Sequence, residues 1–303
     1  MKHKFKDLEK KFGKKIIFNE ILSKYSWFNL GGPAKILFKP DTEDQLINFF
    51  KIIKDSFKII CIGAGSNTLV RDGGFDGVVI KLSPKFSYIK KINNYLLEVG
   101  ASTLDKRLSN YAAENEITGF EFLSCIPGSV GGAITMNSGC YGDEISNILS
   151  SIKTIDHRGQ ILDIKKDDIK FYYRDTSLPK DLIILSANFE IRNGNKNQIY
   201  EKMSKYSQQK KNSQPTQVKT CGSTFKNPKD KKAWELIKNS NCSEVSFGKA
   251  SISPKHNNFF INEGGTSAED IEKLINHVKE KVFVQQNIKL DLEIKIIGKN
   301  ISQ

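Results

Sequence analysis

The stretch EFLSCIPGSVGGAITMNSGCYG, residues 121–142, is the most informative part of this sequence. Five of its 22 positions are glycine, against 22 glycines in the whole chain of 303 residues. Glycine has no Cβ, so a glycine-rich loop lets backbone N–H groups approach a ligand directly, as loops that bind phosphate groups do. We therefore expect this segment to cradle an anionic group.

A second loop of the same kind lies upstream. The apolar run KIICI (58–62) predicts a strand, and GAGSN (63–67) follows it with small residues and the polar side chains of Ser66 and Asn67. Two such loops indicate a large cofactor that bears phosphate groups.

The familiar nucleotide and hydrolase motifs are missing from the sequence. A dinucleotide fingerprint would need glycine where Thr68 stands, and an acidic residue about 20 positions further on, where the sequence reads KLSPKF (81–86). Each Gly-Lys pair lacks the Ser or Thr of a Walker loop. The GxSxG, HExxH and CxxC patterns do not occur either. These observations argue against a Rossmann fold, nucleoside triphosphate chemistry and a metal site.

Composition and charge exclude further classes. The sequence contains no apolar run of about 18 residues, and its amino terminus has no apolar signal core. Its five cysteines show no disulfide spacing. We therefore expect a cytoplasmic protein without a membrane partner. The net charge of +13 raises the alternative of a basic nucleic-acid-binding protein, but only five of the 47 basic residues are arginine and the lysines are scattered. This distribution favours a solvated surface and no nucleic-acid partner.

Seven blocks of sequence, two of which contain the glycine-rich loops, follow one another along the chain. They are YSWFNLGGPA (25–34), GAGSNTLVRDGGFDGVVI (63–80), IPGSVGGAITMNSGCYG (126–142), YYRDTS (172–177), GSTFKNP (222–228), KHNNFFIN (255–262) and LEIKIIG (292–298). In this order they closely resemble the UDP-N-acetylenolpyruvoylglucosamine reductase (MurB) family, and the length is similar to that of its shorter, type II subclass. Cys125 and Cys140 depart from the Gly and Ala that are usual in the cofactor loop.

The resemblance implies an α+β fold. Its parts would be a two-lobed FAD-binding domain of the PCMH type, similar to vanillyl-alcohol oxidase, and a smaller α/β substrate-binding domain. We place an N-terminal extension at 1–19, the FAD-binding domain at 20–194 and the substrate-binding domain at 195–303, with RNGNKNQ (192–198) as the linker. Local patterns predict helices at 42–54, 104–116, 197–211, 231–239 and 267–282, the last capped by Thr266 with Glu269, and a closing strand through 289–296.

The resemblance also implies a reaction. It is the reduction of UDP-N-acetylglucosamine enolpyruvate to UDP-N-acetylmuramate in peptidoglycan synthesis, with non-covalent FAD as cofactor, NADPH as hydride donor and a monomeric protein. An alternative is a flavin-dependent oxidase of the same architecture. The expected FAD-binding residues lie in the two glycine-rich loops: Gly63, Ala64, Gly65, Ser66, Asn67, Pro127, Gly128, Ser129, Gly131, Gly132 and Ala133.

Three residues of the blocks match the family's catalytic positions. Arg174 would clamp the substrate carboxylate, because a guanidinium can meet it through two parallel hydrogen bonds. Ser223 would donate the proton. Glu293 would hydrogen-bond the carboxyl group in its protonated form, which requires a pKa raised by desolvation; Asp291, the neighbouring acidic residue, is the second choice.

The substrate-binding assignments are fewer. Asn227 matches the family's substrate-contacting amide. Lys211, with Lys210 beside it, would lie near the substrate diphosphate, although a Lys pair at a helix end also complements the helix dipole. His256 is expected to have a positioning or structural role.

Overall fold

The structure, a computed structural model, describes residues 2–301 and divides into two units, each built from several chain segments. Unit 1 comprises the residues up to Phe18, Ile36–Ala64 and Gly77–Gln209. Unit 2 comprises Asn19–Lys35, Gly65–Asp76 and the residues from Lys210 onward. The ranges 20–194 for an FAD-binding domain and 195–303 for a substrate-binding domain therefore remain a prediction. The two folded units follow a different division, because each is built from segments that are separated in the sequence.

The α-helices of the described chain are bounded as follows: α1 (Lys2–Phe12), α2 (Glu43–Ile53), α3 (Asp105–Glu114), α4 (Val130–Thr135), α5 (Lys196–Ser213), α6 (Ala233–Asn239) and α7 (Ala268–Gln286). The strands are β1 (Ile16–Ile21), β2 (Pro33–Phe38), β3 (Lys58–Cys61), β4 (Thr68–Val70), β5 (Phe75–Ile80), β6 (Ile89–Lys91), β7 (Leu96–Gly100), β8 (Ile117–Thr118), β9 (Gly139–Cys140), β10 (Asp143–Glu144), β11 (Leu149–Ile155), β12 (Ile161–Lys165), β13 (Phe171–Tyr172), β14 (Asp175–Thr176), β15 (Ile183–Glu190), β16 (Arg192–Asn193), β17 (Ser246–Phe247), β18 (Ala250–Ile252), β19 (Phe260–Asn262) and β20 (Lys295–Ile297).

Unit 1 has two larger sheets, of four and five strands, and two hydrophobic cores, which correspond to the two expected lobes. One sheet has the strand order β1-β2-β5-β3, with β3 parallel to β5. Its core includes Leu8 and Phe12 of α1, stacked rings of Phe38 and Phe49, and Leu46 of α2. The amino-terminal helix is thus part of this core, because its apolar side chains are buried there. The other sheet is antiparallel, in the order β12-β11-β15-β7-β6.

The second core of unit 1 supports the glycine-rich segment 121–142. Val130, Ala133 and Ile134, all on α4, are buried in it together with residues of β7, β11 and β15. A helix with three apolar side chains in a core is held firmly. This packing fixes the position of the loop that precedes α4.

Unit 2 is centred on α7, whose apolar face lies against β17 and β18. β4 pairs in parallel with β20, so residues that are far apart in the sequence form one two-stranded sheet. The Arg71 guanidinium binds both carboxylate oxygens of Glu272 at 2.8 Å, and Asp72 accepts hydrogen bonds from the N–H groups of Ala268 and Glu269 at the start of α7. The segment RDGG (71–74) is therefore a structural clamp on α7.

Most of the predicted helices are confirmed, but three local expectations are wrong. Residues 192–198 are not a linker, because they form β16, which pairs with β8, and the first turn of α5. The capping box of α7 is formed by Ser267 and Asp270, one residue later than expected. The closing strand covers only Lys295–Ile297, so Glu293 precedes it. Within residues 2–301, no helix is both long enough and apolar enough to span a membrane.

Candidate active site

Within unit 1, the first two residues of GAGSN meet the second glycine-rich loop. β3 ends at Cys61, and Ile62 pairs with Ile80 at the end of the parallel strand β5. A Cβ added to Gly63 would lie 2.5 Å from Ser129 Oγ and 4.0 Å from Gly132 N. Glycine at position 63 leaves room for the Ser129 hydroxyl, so the two loops lie close together here.

A lysine supplies positive charge at the same place. Lys81 follows β5 and donates a hydrogen bond from Nζ to Gly63 O at 2.7 Å. Desolvation lowers the pKa of Lys81. The side chain of Cys61 reaches solvent, yet desolvation raises the pKa of its thiol to about 12 against the smaller opposite effect of Lys81. With its pKa raised, the thiol is protonated at neutral pH and is a poor nucleophile.

The second loop is pinned from behind by the segment 101–105. Asp105 N donates to Gly128 O at 3.2 Å, Val130 N to Thr103 O at 2.9 Å and Gly131 N to Ala101 O at 2.9 Å. These bonds restrict the conformation of the loop. Such preorganisation reduces the entropy lost on binding.

The two unusual cysteines are accommodated without distortion. Cys125 is buried in the second core of unit 1. Cys140 is partly buried, and its thiol lies 3.3 Å from Phe122 O as a hydrogen-bond donor. Both are small, partly or fully buried side chains that fit the packing of this segment.

The other residues of GAGSN belong to unit 2. Gly65 has a left-handed backbone angle, φ +75°, and its carbonyl accepts from Trp27 N at 3.1 Å. Asn67 donates from Nδ2 to Glu293 O at 3.0 Å, and Asn67 O accepts from Lys295 N at 2.9 Å. The motif therefore contributes Gly63 and Ala64 to unit 1, and Gly65, Ser66 and Asn67 to unit 2.

Backbone pairing brings the predicted proton donor and the predicted carboxylate into one neighbourhood of unit 2. Ser223 pairs with Phe259 in an isolated antiparallel bridge, and the next residue, Thr224, accepts from Glu293 N at 2.9 Å. Glu293 is half-buried, whereas Asp291 is exposed and its carbonyl accepts from Lys226 N at 2.8 Å. Of the two acidic candidates, Glu293 thus has the side chain that is more shielded from solvent. Leu290 and Ile294 are buried as the alternation predicts, although Glu293 lies outside a regular strand.

Arg174 lies in unit 1, at the tip of a tight hairpin between β13 and β14. Its backbone is left-handed, with φ +57°, and its Nη2 donates to Gly139 O at 2.6 Å. The guanidinium also stands over the ring of Tyr173, 4.9 Å from the ring centre. A non-glycine residue at positive φ is uncommon and is often found at functional sites. The anchor to Gly139 fixes the guanidinium plane beside the segment 121–142.

The predicted substrate-binding residues lie at helix ends of unit 2. Asn227 Oδ1 accepts from Ala233 N at 2.9 Å and so stabilises the start of α6. Lys211 is an exposed residue in the last turn of α5, where its carbonyl accepts from Lys255 Nζ. His256 is partly buried, and its Nδ1 accepts from Asn258 N at 3.2 Å. Burial lowers the pKa of His256, which agrees with a neutral, structural histidine.

The sequence does not single out two residues that lie at the loops. Lys81 resembles the other lysines, and only its place after a predicted strand, close to GAGSN, could have indicated a role at the loop. Asp105 was read only as part of a helix, and nothing in its local sequence distinguishes a buried carboxyl group from an exposed one.

Comparisons with known proteins agree with this architecture. The family model "FAD binding domain" matches residues 34–165, and the model "UDP-N-acetylenolpyruvoylglucosamine reductase, C-terminal domain" matches residues 214–297. A UDP-N-acetylenolpyruvoylglucosamine reductase of Pelagibacter ubique is 47% identical over 93% of this chain and 95% of its own length. The enzyme of the same name from Rickettsia massiliae is 43% identical over 92% and 94%.

A solved structure extends the agreement to three dimensions. The crystal structure of UDP-N-acetylenolpyruvylglucosamine reductase from Thermus caldophilus superposes with a TM-score of 0.81 at 30% identity, covering 93% of this chain and 97% of that one. The predicted α+β class, with an FAD-binding domain followed by a family-specific C-terminal domain, is confirmed. On this similarity of sequence and fold, the chain belongs to the UDP-N-acetylenolpyruvoylglucosamine reductase family.

Proposed function

We propose that this chain uses FAD and NADPH to reduce UDP-N-acetylglucosamine enolpyruvate to UDP-N-acetylmuramate, a step of peptidoglycan precursor synthesis. Family membership over almost the whole chain supports the reaction. The observation that carries the chemistry is the hydrogen bond from Glu293 N to Thr224 O, which brings the segments of Ser223 and Glu293 side by side.

The residues present fit an FAD diphosphate. The loops around Gly63 and Gly128 offer small side chains and closely approached backbone, and Lys81 adds a cation at Gly63 O. Backbone dipoles with one nearby ammonium group suit a diphosphate. We therefore assign non-covalent FAD to Gly63, Ala64, Gly65, Ser66, Asn67, Pro127, Gly128, Ser129, Gly131, Gly132 and Ala133. When bound, FAD supplies the hydride-transfer chemistry between NADPH and the enolpyruvyl double bond.

The remaining chemistry falls to the chain's own side chains. Hydride addition to the terminal vinyl carbon places negative charge on the adjacent carbon and on its carboxylate. Arg174 would bind that carboxylate and keep its charge throughout, with its guanidinium plane held by Gly139 O. Glu293 would hydrogen-bond the same carboxyl group as a protonated acid.

Ser223 would deliver the proton to the carbanion carbon. A hydroxyl is a weak acid in water, but a carbanion is a strong base, so the transfer needs position more than acidity. The bridge to Phe259 fixes the backbone of Ser223, and Gly222 before it has φ +78°, which favours glycine. Asn227 and Lys211 would contact the substrate, Lys211 near its diphosphate.

The proposed substrates are small molecules, a UDP-sugar and NADPH. Both are polyanions, so the positive net charge of the chain would attract them. We propose a cytoplasmic monomer that binds neither nucleic acid nor membrane. A flavin oxidase would consume oxygen instead of NADPH, and a nucleic-acid-binding protein would show salt-sensitive binding without a chromophore.

The test separates the two half-reactions by stopped-flow absorbance. Ser223→Ala should leave reduction of the bound flavin by NADPH nearly intact, and should slow reoxidation by the enolpyruvyl substrate by several powers of ten, each tenfold being about 1.4 kcal/mol of barrier. Ser246→Ala, an exposed serine of the same unit, is the matched control. Equal damage to both half-reactions would move Ser223 from proton transfer to cofactor binding.

A further inference from the structure

The carboxyl group of Asp105 is buried behind the cofactor loop without a hydrogen-bond partner. Asp105 is the first residue of α3 and is 0% exposed. Within residues 2–301, neither Oδ1 nor Oδ2 of its carboxyl group has a hydrogen-bond partner. Ser109 Oγ, one helical turn further on, is buried and unpaired as well. Buried polar groups are nearly always hydrogen-bonded, so an orphaned carboxyl group needs an explanation.

The Asp105 side chain is fitted to Gly128. A Cβ added to Gly128 would overlap Asp105 Oδ2, so the carboxyl group fills the space that a side chain would take. Asp105 N also donates to Gly128 O at 3.2 Å, and Leu104 pairs with Ser129 in an antiparallel bridge. The segment that ends in Asp105 is therefore the support of the loop, and the carboxyl group is in direct contact with it.

No side chain pairs with the Asp105 carboxyl group within residues 2–301, and the start of α3 offers only its helix dipole. The titratable groups on the neighbouring elements are Lys106, Arg107, Tyr111 and Glu114 on α3, Glu121 and Cys125 on residues 121–125, and Lys85 and Tyr88 on residues 84–88, while β8 and residues 127–133 carry none. Arg107 binds Ser87, and Glu121 accepts from Thr118 and Gly119. Desolvation raises the pKa of Asp105 well above its usual value. An ionised carboxylate here would be both buried and unpaired, which is costly.

We propose that Asp105 is a positioning residue for the cofactor loop, and that it acts as a neutral carboxylic acid packed against Gly128. If it ionised, the charge would lie beneath backbone that takes an anionic diphosphate, and would weaken that site. This rests on the proposed role of residues 127–133 in FAD binding. The ligand chemistry concerned is the anionic diphosphate.

The sign of the pH effect follows from the raised pKa. The folded chain keeps the Asp105 proton at pH values where the unfolded chain has lost it. Retention of this proton stabilises the folded chain fully below the pKa of the unfolded aspartate. As pH rises from there toward the folded pKa, the stabilisation is lost, and the ratio of folded to unfolded chain falls tenfold per pH unit. Asn has the shape of the neutral acid and cannot ionise, so Asp105→Asn should remove this slope.

The experiment compares the wild-type chain with Asp105→Asn and, as a control with the same substitution at an exposed position of β12, Asp163→Asn. The FAD dissociation constant, from flavin fluorescence, and the urea midpoint are measured from pH 5 to 9. We expect the urea midpoints of wild type and the control to fall with rising pH relative to that of Asp105→Asn, and their FAD affinity to fall by up to tenfold per unit once pH exceeds the folded pKa of Asp105. Asp105→Ala should bind FAD more weakly at every pH, because the support of Gly128 is lost.

Other outcomes overturn the proposal in distinguishable ways. Identical pH profiles of wild type and Asp105→Asn in both measurements would show that the carboxyl group is not neutral. A difference in urea midpoint between wild type and Asp105→Asn, combined with unchanged FAD affinity of Asp105→Ala, would refute the positioning role alone. Failure of every variant and of wild type to bind FAD would refute the function proposed above as well. Should Asp105→Asn fail to fold, the carboxyl carbon-13 shift of Asp105 in the wild-type chain decides: an ionised shift at pH 7 contradicts a neutral acid.

Discussion

Gly65 and Gly265 have almost the same backbone angle in very different surroundings, which makes them a matched pair for substitution. Their φ values are +75° and +76°, and both belong to unit 2. A Cβ on Gly65 would overlap the carbonyl oxygen of Tyr25 and lie 2.9 Å from its carbon, whereas nothing lies within 4 Å of a Cβ on Gly265. We predict that Gly65→Ala destabilises the chain much more than Gly265→Ala.

The expected size follows from two contributions. Alanine in the left-handed region costs about 1–2 kcal/mol at either position. At Gly65 the obstacle is backbone, which cannot rotate aside, so the segment around Tyr25 must move, and overpacking of this kind adds about 1–3 kcal/mol. The free energy of unfolding should therefore fall by about 2–5 kcal/mol for Gly65→Ala, and by about 1–2 kcal/mol for Gly265→Ala.

Urea denaturation followed by circular dichroism measures this difference, and flavin fluorescence measures FAD release from the same samples. Because Trp27 N donates to Gly65 O, movement of this segment should also weaken FAD binding in Gly65→Ala alone. Equal urea midpoints for the two variants, with unchanged FAD affinity, would mean that the contact between Gly65 and Tyr25 is not constrained as described.

Four further substitutions have defined outcomes. Lys81→Met should weaken FAD binding about tenfold or more and leave riboflavin binding unchanged, because the lost hydrogen bond to the loop is charge-assisted; fluorescence titration checks this, with exposed Lys85→Met as control. Arg174→Lys keeps the charge but loses the planar fork, so stopped-flow should show slower flavin reoxidation by substrate and normal reduction by NADPH. For Glu293→Gln we expect slower reoxidation of the flavin by substrate than in wild type, at a rate that no longer falls as pH rises. If Asp291→Asn has that effect instead, the role belongs to Asp291. Asp72→Asn should lower the free energy of unfolding by about 1 kcal/mol, measured in urea, because a charged cap of α7 is lost.

Local signals in the sequence predicted local structure well. Thr42 caps α2 by accepting from Gln45 N, as its spacing indicates. The Asn93–Asn94 turn joins β6 to β7 in an antiparallel hairpin. The cap of α7 was misplaced by one residue because Thr266 and Ser267 are both good caps, and the choice depends on which one the Asp270 side chain can reach.

Contacts distant in sequence were not predictable in the same way. Nothing local announces that Thr68–Val70 pairs with Lys295–Ile297, since each run would suit many partners. The environment of Glu293 has the same origin: period-two alternation suggested a regular strand, but hydrogen bonds from Asn67 and to Thr224 hold Glu293 in an irregular segment instead. The family blocks indicate candidate site residues. Asp105 stands out only in the structure, because its carboxyl group has no hydrogen-bond partner within residues 2–301.

The parallel pairing of β4 with β20 has a consequence for biosynthesis. Residues 68–70 leave the ribosome early, while their partner at 295–297 is among the last residues translated. Chains are made from the amino terminus at about 5–20 residues per second, so β4 waits many seconds with an unpaired edge and the apolar side chain of Leu69 uncovered. Unit 1 can form its cores meanwhile, because all its segments precede residue 210. Unit 2 must close after translation, and a chain that stops before residue 295 leaves β4 permanently exposed to aggregation and proteolysis.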